Sequence, residues 1–159
     1  MDEIKNVLFV CLGNTARSPA AEYLAKHYAE FEGLNIHFES AGFINAFSYM
    51  QPESQQFLNS KRIDHSDFKP QLVSQHLLKK HDLIITMEKS HKQRILNNYE
   101  IKDINTKLFT LKEFAGNESG DLDISDPYYT SEKEYFRLME IIDKNVYKLI
   151  QNIKKIYNQ

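Results

Sequence analysis

An apolar run, Val7-Leu8-Phe9-Val10, opens into Cys11-Leu12-Gly13-Asn14-Thr15-Ala16-Arg17-Ser18, and from Pro19 onward the chain reads as a helix. No other stretch constrains the fold as tightly. A buried strand that breaks into a short loop and turns back as a helix opens an alternating order of strands and helices. Such a loop also aims several backbone N–H groups, and the positive end of a helix dipole, at one point. It is therefore an anion cradle suited to phosphate. The only cysteine of the chain stands at its base, and Arg17 follows with five residues between. Amide donors and a guanidinium favour a cysteine thiolate in general, and the planar fork of an arginine grips two phosphate oxygens. Anion site and nucleophile coincide, a combination suited to phosphoryl transfer to sulfur.

The remainder alternates between helical and strand patterns. Ala21, Leu24, Ala25, Tyr28 and Phe31 recur at helical spacing, with Gly33 as the stop. Asn35 to Glu39 alternates as a second strand. Pro52 suits the first turn of a helix reaching about Ser60. Leu72 to Lys80 reads as a short helix, Asp82 to Met87 as a buried strand, Ser90 to Asn97 as a helix and Lys107 to Thr110 as a short strand. Gly116 to Asp126 is polar, hence a surface loop. Ser131 with Glu134 predicts a capping box for the last helix, whose Phe136, Met139, Ile142, Val146, Leu149, Ile153 and Ile156 form one apolar stripe. The order predicts an α/β protein of three layers, a four-stranded parallel sheet flanked by helices on both faces. The phosphate loop then lies between strand one and helix one, at the carboxyl ends of the strands, where such sheets bind ligands.

Composition bounds the function. The 159 residues suit one domain spanning 1–159. No apolar run approaches the length of a membrane span, and the charged start, Met1 to Asn6, does not resemble a signal peptide. A net charge of −2 gives no electrostatic case for nucleic acid. One cysteine excludes an internal disulfide and fits a reducing cytoplasm. The six histidines show no metal pattern: His76 and His81 do not share a helical face, and no His-Glu-x-x-His occurs. Neither a metal nor an organic cofactor is expected.

Cys11, Gly13, Asn14, Arg17, Ser18 and Pro19 match the loop pattern Cys-x-Gly-Asn-x-x-Arg-Ser-Pro, and Asp126-Pro127-Tyr128-Tyr129 matches a second motif near the C-terminus. Ser40-Ala41-Gly42 and Thr86-Met87-Glu88-Lys89-Ser90 stand between them. In these motifs and their order the chain resembles the low-molecular-weight protein tyrosine phosphatases over nearly its whole length. The resemblance implies hydrolysis of phosphotyrosine in phosphorylated proteins, through a phosphocysteine on Cys11. It implies that Arg17 and the backbone of Leu12, Gly13, Asn14, Thr15, Ala16 and Ser18 hold the phosphoryl oxygens, and that Asp126 is the general acid and base. Read alone, Asp-Pro is only a turn initiator, and Cys11 alone is a buried inert thiol. Ser18 is read as a donor to the departing sulfur and also suits a helix N-cap. Ser40 is expected to support Asn14. Phe43, Phe47 and Tyr49 on one side, with Tyr128 and Tyr129 on the other, are candidates for the walls around a substrate ring. Asp121 and Asp123 read as solvated loop charges. The protein is expected to act as a cytoplasmic monomer.

Three departures from the family pattern stand out. Ala16 replaces the second cysteine that many members carry, so an oxidised Cys11 has no partner for a protective disulfide. The histidine that braces the loop in mammalian members is missing, leaving His65, Asp67 or neither in that role. Thr15 is a residue characteristic of the related arginine phosphatases, where its hydroxyl favours a guanidinium leaving group. Tyrosine remains the main expectation, because Leu12 and the Tyr128-Tyr129 pair match the tyrosine-specific form. Phosphoarginine is the alternative, and a non-catalytic phosphate-binding module stands behind both.

Overall fold

The computed structural model describes residues 3–117 and 120–158. Among them, β1 (Asn6–Cys11), β2 (His37–Gly42), β3 (Leu83–Thr86) and β4 (Leu108–Thr110) form one parallel sheet in the order β2-β1-β3-β4. The helices are α1 (Arg17–Phe31), α2 (Pro52–Ser60), α3 (Gln75–Lys80), α4 (Lys89–Asn98), α5 (Leu111–Phe114) and α6 (Glu132–Tyr157).

β1 is buried on both faces, which explains its unbroken apolar run. Val7, Phe9 and Cys11 point into one core with Leu24 of α1, Leu58 of α2 and Ile142 of α6. Leu8 and Val10 point into the other with Leu78 of α3 and Ile95 of α4. The predicted three layers follow from that alternation. β1 has β2 on one side and β3 on the other. The chain therefore leaves its carboxyl end in opposite directions, opening a crevice there. No described helix is long and apolar enough to cross a membrane.

Several local expectations change. β2 starts at His37 and runs on through Ser40, Ala41 and Gly42, because its register against β1 pairs Asn6 with His37 and Cys11 with Gly42. α3 begins later than predicted: Ser74 caps it by accepting the N–H of Leu77, while Leu72 bridges to Gly42 in the manner of a strand. A 3-10 turn at Ile104–Thr106 and the short α5 have too few residues to show a period in the sequence. The capping box of α6 forms only by half. Ser131 accepts the N–H of Glu134, but the Glu134 carboxylate pairs with Arg137 on the next turn. Positions 118 and 119 of the predicted polar loop, and 1 and 2 of the N-terminal segment, lie outside the described residues.

Candidate active site

The loop between β1 and α1 is held from outside by its carbonyls. Leu12 O accepts from the N–H groups of Phe43 and Ile44 at 2.7 and 3.1 Å, Thr15 O from that of Gln51 at 2.8 Å, and Ala16 O from the Ser54 hydroxyl at 3.0 Å. With the carbonyls turned outward, the N–H groups of Gly13, Asn14, Thr15 and Ala16 donate to no described group of the protein. Orphaned donors in a buried loop form a nest for an anion. Cys11 lies at its base, 2 % exposed. Its Sγ is 2.9 Å from the Ser18 hydroxyl and accepts the Ser18 N–H at 3.5 Å.

Asn14 has left-handed backbone, φ 53°, a conformation asparagine tolerates better than most residues. Its side chain locks the shape. Nδ2 donates to the hydroxyls of Ser18 at 2.9 Å and Ser40 at 2.8 Å, and Oδ1 accepts the N–H of Gln71 at 2.9 Å. Ser40 donates onward to Glu22 of α1 at 2.6 Å, and Glu22 also pairs with Lys26. Neither His65 nor Asp67 reaches this network: His65 bonds Asn59, and Asp67 accepts from the Tyr23 hydroxyl. Glu22 is the group that holds Ser40 in this network. Burial raises its carboxyl above the ordinary range, offset in part by the bonds from Lys26 and Ser40. A glutamate within the buried stretch Ala20 to Ala25 is the signal that marks it in the sequence.

Gly42 completes the support. A Cβ there would meet Asn14 N at 2.7 Å, Gly13 C at 2.8 Å and Leu12 O at 2.9 Å, so only glycine lets the end of β2 press against the loop.

Arg17 is 2 % exposed and anchored on one side. Nη1 pairs with Glu88 and donates to Ile124 O at 2.7 Å, while Nη2 lies 3.9 Å from Asp126 Oδ2. Glu88 follows β3 at the carboxyl end of the sheet, the position where a ligand site draws its residues. His91, one turn into α4, accepts the Glu88 N–H on Nδ1 at 3.2 Å. Burial, and next the nearby Arg17 cation, push its pKa down to about 4, so the ring is neutral.

These groups face a cleft of about 360 Å³, lined among others by Cys11, Thr15, Arg17, Phe47, Gln51, Asp126 and Tyr128. Asp126 stands at the rim, its Oδ1 accepting the Tyr128 N–H at 3.0 Å. Phe47 and Tyr128 meet edge to face, centroids 5.6 Å apart. Tyr49 and Tyr129 line a neighbouring cleft of about 320 Å³ that shares those two rings. Phe43 is not a wall. It lies against the second core, with His91 at 5.8 Å and the Arg94 guanidinium 4.6 Å from its ring. Asp123 is not a solvated charge either: it accepts the Lys89 N–H at the start of α4, and Asp121 accepts from Asp123 in turn. Gln51 was not foreseen. Its amide Nε2 lies 3.4 Å from the Thr15 hydroxyl, and Oε1 accepts from Tyr135.

The family model for low molecular weight phosphotyrosine protein phosphatase matches residues 6–159. A protein-arginine-phosphatase of Bacillus subtilis is 34% identical over 152 residues, covering 94% of this chain and 97% of that one. The low molecular weight protein-tyrosine-phosphatase PtpA of Staphylococcus haemolyticus is 32% identical over 157 residues, covering 96% of both. The solved low molecular weight protein tyrosine phosphatase from T. tengcongensis superposes with a TM-score of 0.82 at 33% identity, over 92% of this chain and 98% of that one. A cysteine loop of this build, a sheet in this order and a match of this extent agree: the chain belongs to the low-molecular-weight phosphotyrosine protein phosphatase family and is a phosphoric monoester hydrolase.

Proposed function

We propose that the protein hydrolyses phosphotyrosine in protein substrates, with the phosphoryl group passing through Cys11. The observation that carries this is the meeting of Cys11, four undonated loop N–H groups and the anchored Arg17 at the floor of a cleft walled by Phe47 and Tyr128. The Cys11 thiolate attacks phosphorus in line, the bond from phosphorus to the phenolic oxygen breaks, and Asp126 protonates that oxygen as it leaves. The loop N–H groups and Arg17 stabilise the three equatorial oxygens as charge spreads over them. Water then attacks the phosphocysteine and gives its proton to Asp126. Phosphate departs, and the sulfur leaves as a thiolate that accepts a hydrogen bond from Ser18. A cleft rimmed by Phe47 and Tyr128 over the cysteine loop suits a phosphate carried on a ring better than one on serine or threonine. A lone thiol without a second cysteine suits action in a reducing compartment, by a monomer whose cleft is complete within one chain.

A specific observation favours a second substrate. Thr15 and Gln51 put a hydroxyl and an amide side by side in the cleft, polar groups that complement a guanidinium, and the relative from Bacillus subtilis is a protein-arginine-phosphatase. Steady-state hydrolysis of a phosphotyrosine and a phosphoarginine peptide, side by side and with Cys11→Ser as control, separates the two. A tenfold preference, about 1.4 kcal/mol in transition-state binding, for phosphotyrosine supports the main assignment. The reverse preference, lost in Thr15→Val, transfers the assignment to phosphoarginine. Cleavage of neither above the control refutes both.

A further inference from the structure

At the end of the sheet opposite the cleft, three side chains converge on one point. His37 and Glu39 stand two apart on β2, and so on one face of it. His81 is brought beside them by the turn between α3 and β3. Glu39 Oε2 lies 3.2 Å from His37 Nε2 and 2.9 Å from His81 Nε2, and the three atoms all fall within 4.8 Å of one another.

The hydrogen bonding of His81 is what makes this group unusual. Its side chain is fully buried, and Nδ1 donates to Leu77 O at 2.7 Å. In the neutral ring that bond leaves a lone pair on Nε2. Among the described residues, Nε2 is a buried side-chain nitrogen with no hydrogen-bond partner, although a carboxylate oxygen stands beside it. A metal cation is a partner that such a lone pair takes. The Glu39 carboxylate also faces two neighbours outside the trio. Lys80 is its other close partner, an exposed ammonium 3.1 Å from the same oxygen, and Gln71 Nε2 is 3.5 Å from Oε1.

We propose that His37, Glu39 and His81 bind a divalent transition-metal ion, zinc by the chemistry of its ligands, at a site separate from the phosphate loop. Two imidazole nitrogens and one carboxylate oxygen form a three-ligand set that zinc takes, with a fourth tetrahedral position left to water. Tetrahedral bonds of about 2.0–2.1 Å require ligand atoms roughly 3.4 Å apart. The contacts of Glu39 with His37 and His81, 3.2 and 2.9 Å, open slightly to reach that spacing. The bond from His81 to Leu77 O is the outer support that zinc-bound histidines use to fix tautomer and orientation. Lys80 is the competitor that the ion displaces, and its exposed stem lets it swing away. The pattern is hidden in the sequence because His81 comes from another segment, and the helical spacing of His76 and His81 leads away from it.

The test is calorimetric titration of zinc chloride into the full chain carrying Cys11→Ser, so that the nucleophile thiol does not compete. One ion per chain should bind, with the melting temperature rising as zinc is added. His37→Ala and Glu39→Gln, added singly, should weaken binding by at least roughly tenfold, while Lys80→Ala should bind as tightly or more so. His37 is exposed, so its replacement leaves the core intact. The histidine ring signals of His81 in NMR spectra should shift on zinc addition and stay unmoved in His37→Ala. Absence of saturable binding, or binding unchanged in both His37→Ala and Glu39→Gln, overturns the proposal.

Discussion

Replacing Glu22 by alanine tests whether this residue braces the phosphate loop. The substitution removes the acceptor of the Ser40 hydroxyl, a buried bond of 2.6 Å, and the pairing with Lys26. A hydrogen bond to a charged group contributes about 1.5–3 kcal/mol, and a part-exposed pair such as Glu22–Lys26 adds only a few tenths. The burial cost that raises the Glu22 carboxyl subtracts from that gain, leaving a loss of roughly 2 kcal/mol. For a chain of this length the melting temperature should fall by about 4–8 °C. Because Ser40 holds Asn14 and Asn14 shapes the donors, kcat/KM should fall roughly tenfold, and the inhibition constant of inorganic phosphate should rise in step. Glu22→Gln keeps an acceptor oxygen and should lose far less. The sign of its pH dependence is opposite to that of an ordinary salt-bridged carboxylate. A raised folded pKa contributes stability that is fully present below the unfolded value and is lost as pH rises through the folded one. The stability of Glu22→Gln relative to wild type should therefore improve as pH rises through that window. Wild-type melting and wild-type phosphate inhibition in Glu22→Ala would refute the brace.

Gly42→Ala forces a methyl against the loop backbone, so it should destabilise by about 1–3 kcal/mol and lower kcat/KM, as read by denaturant unfolding and steady-state kinetics. His91 is neutral when folded, with its pKa depressed to about 4. The unfolding free energy should thus decline as pH falls from about 6.5 to about 4, and His91→Asn should flatten that limb in pH-dependent denaturation curves. Asp126→Asn should slow hydrolysis of aryl phosphates by roughly 10²–10⁴. The effect should be largest for poor leaving groups, and an equal loss across leaving groups would remove Asp126 from the acid role.

The chain's own residues determine the scaffold and the cysteine loop. The doubly buried run at Val7 to Val10, the loop after it and the apolar stripe of α6 each carry a period that only one kind of element satisfies, so strand, loop and helix are legible one by one. Cys11, Arg17 and the turn at Asp126 are legible for the same reason, since local spacing and motif order suffice. Tertiary structure decided the partnerships. That Glu22 serves Ser40, that Glu88 anchors Arg17, that Gly42 admits the loop and that Phe43 turns away from the cleft all depend on how β2, β3 and α1 lie against β1. The pairing of His81 with His37 and Glu39 has the same origin. A sequence records periods along one chain, while a brace, an ion pair or a ligand set is a distance between segments, and only the register of a packed sheet sets that distance.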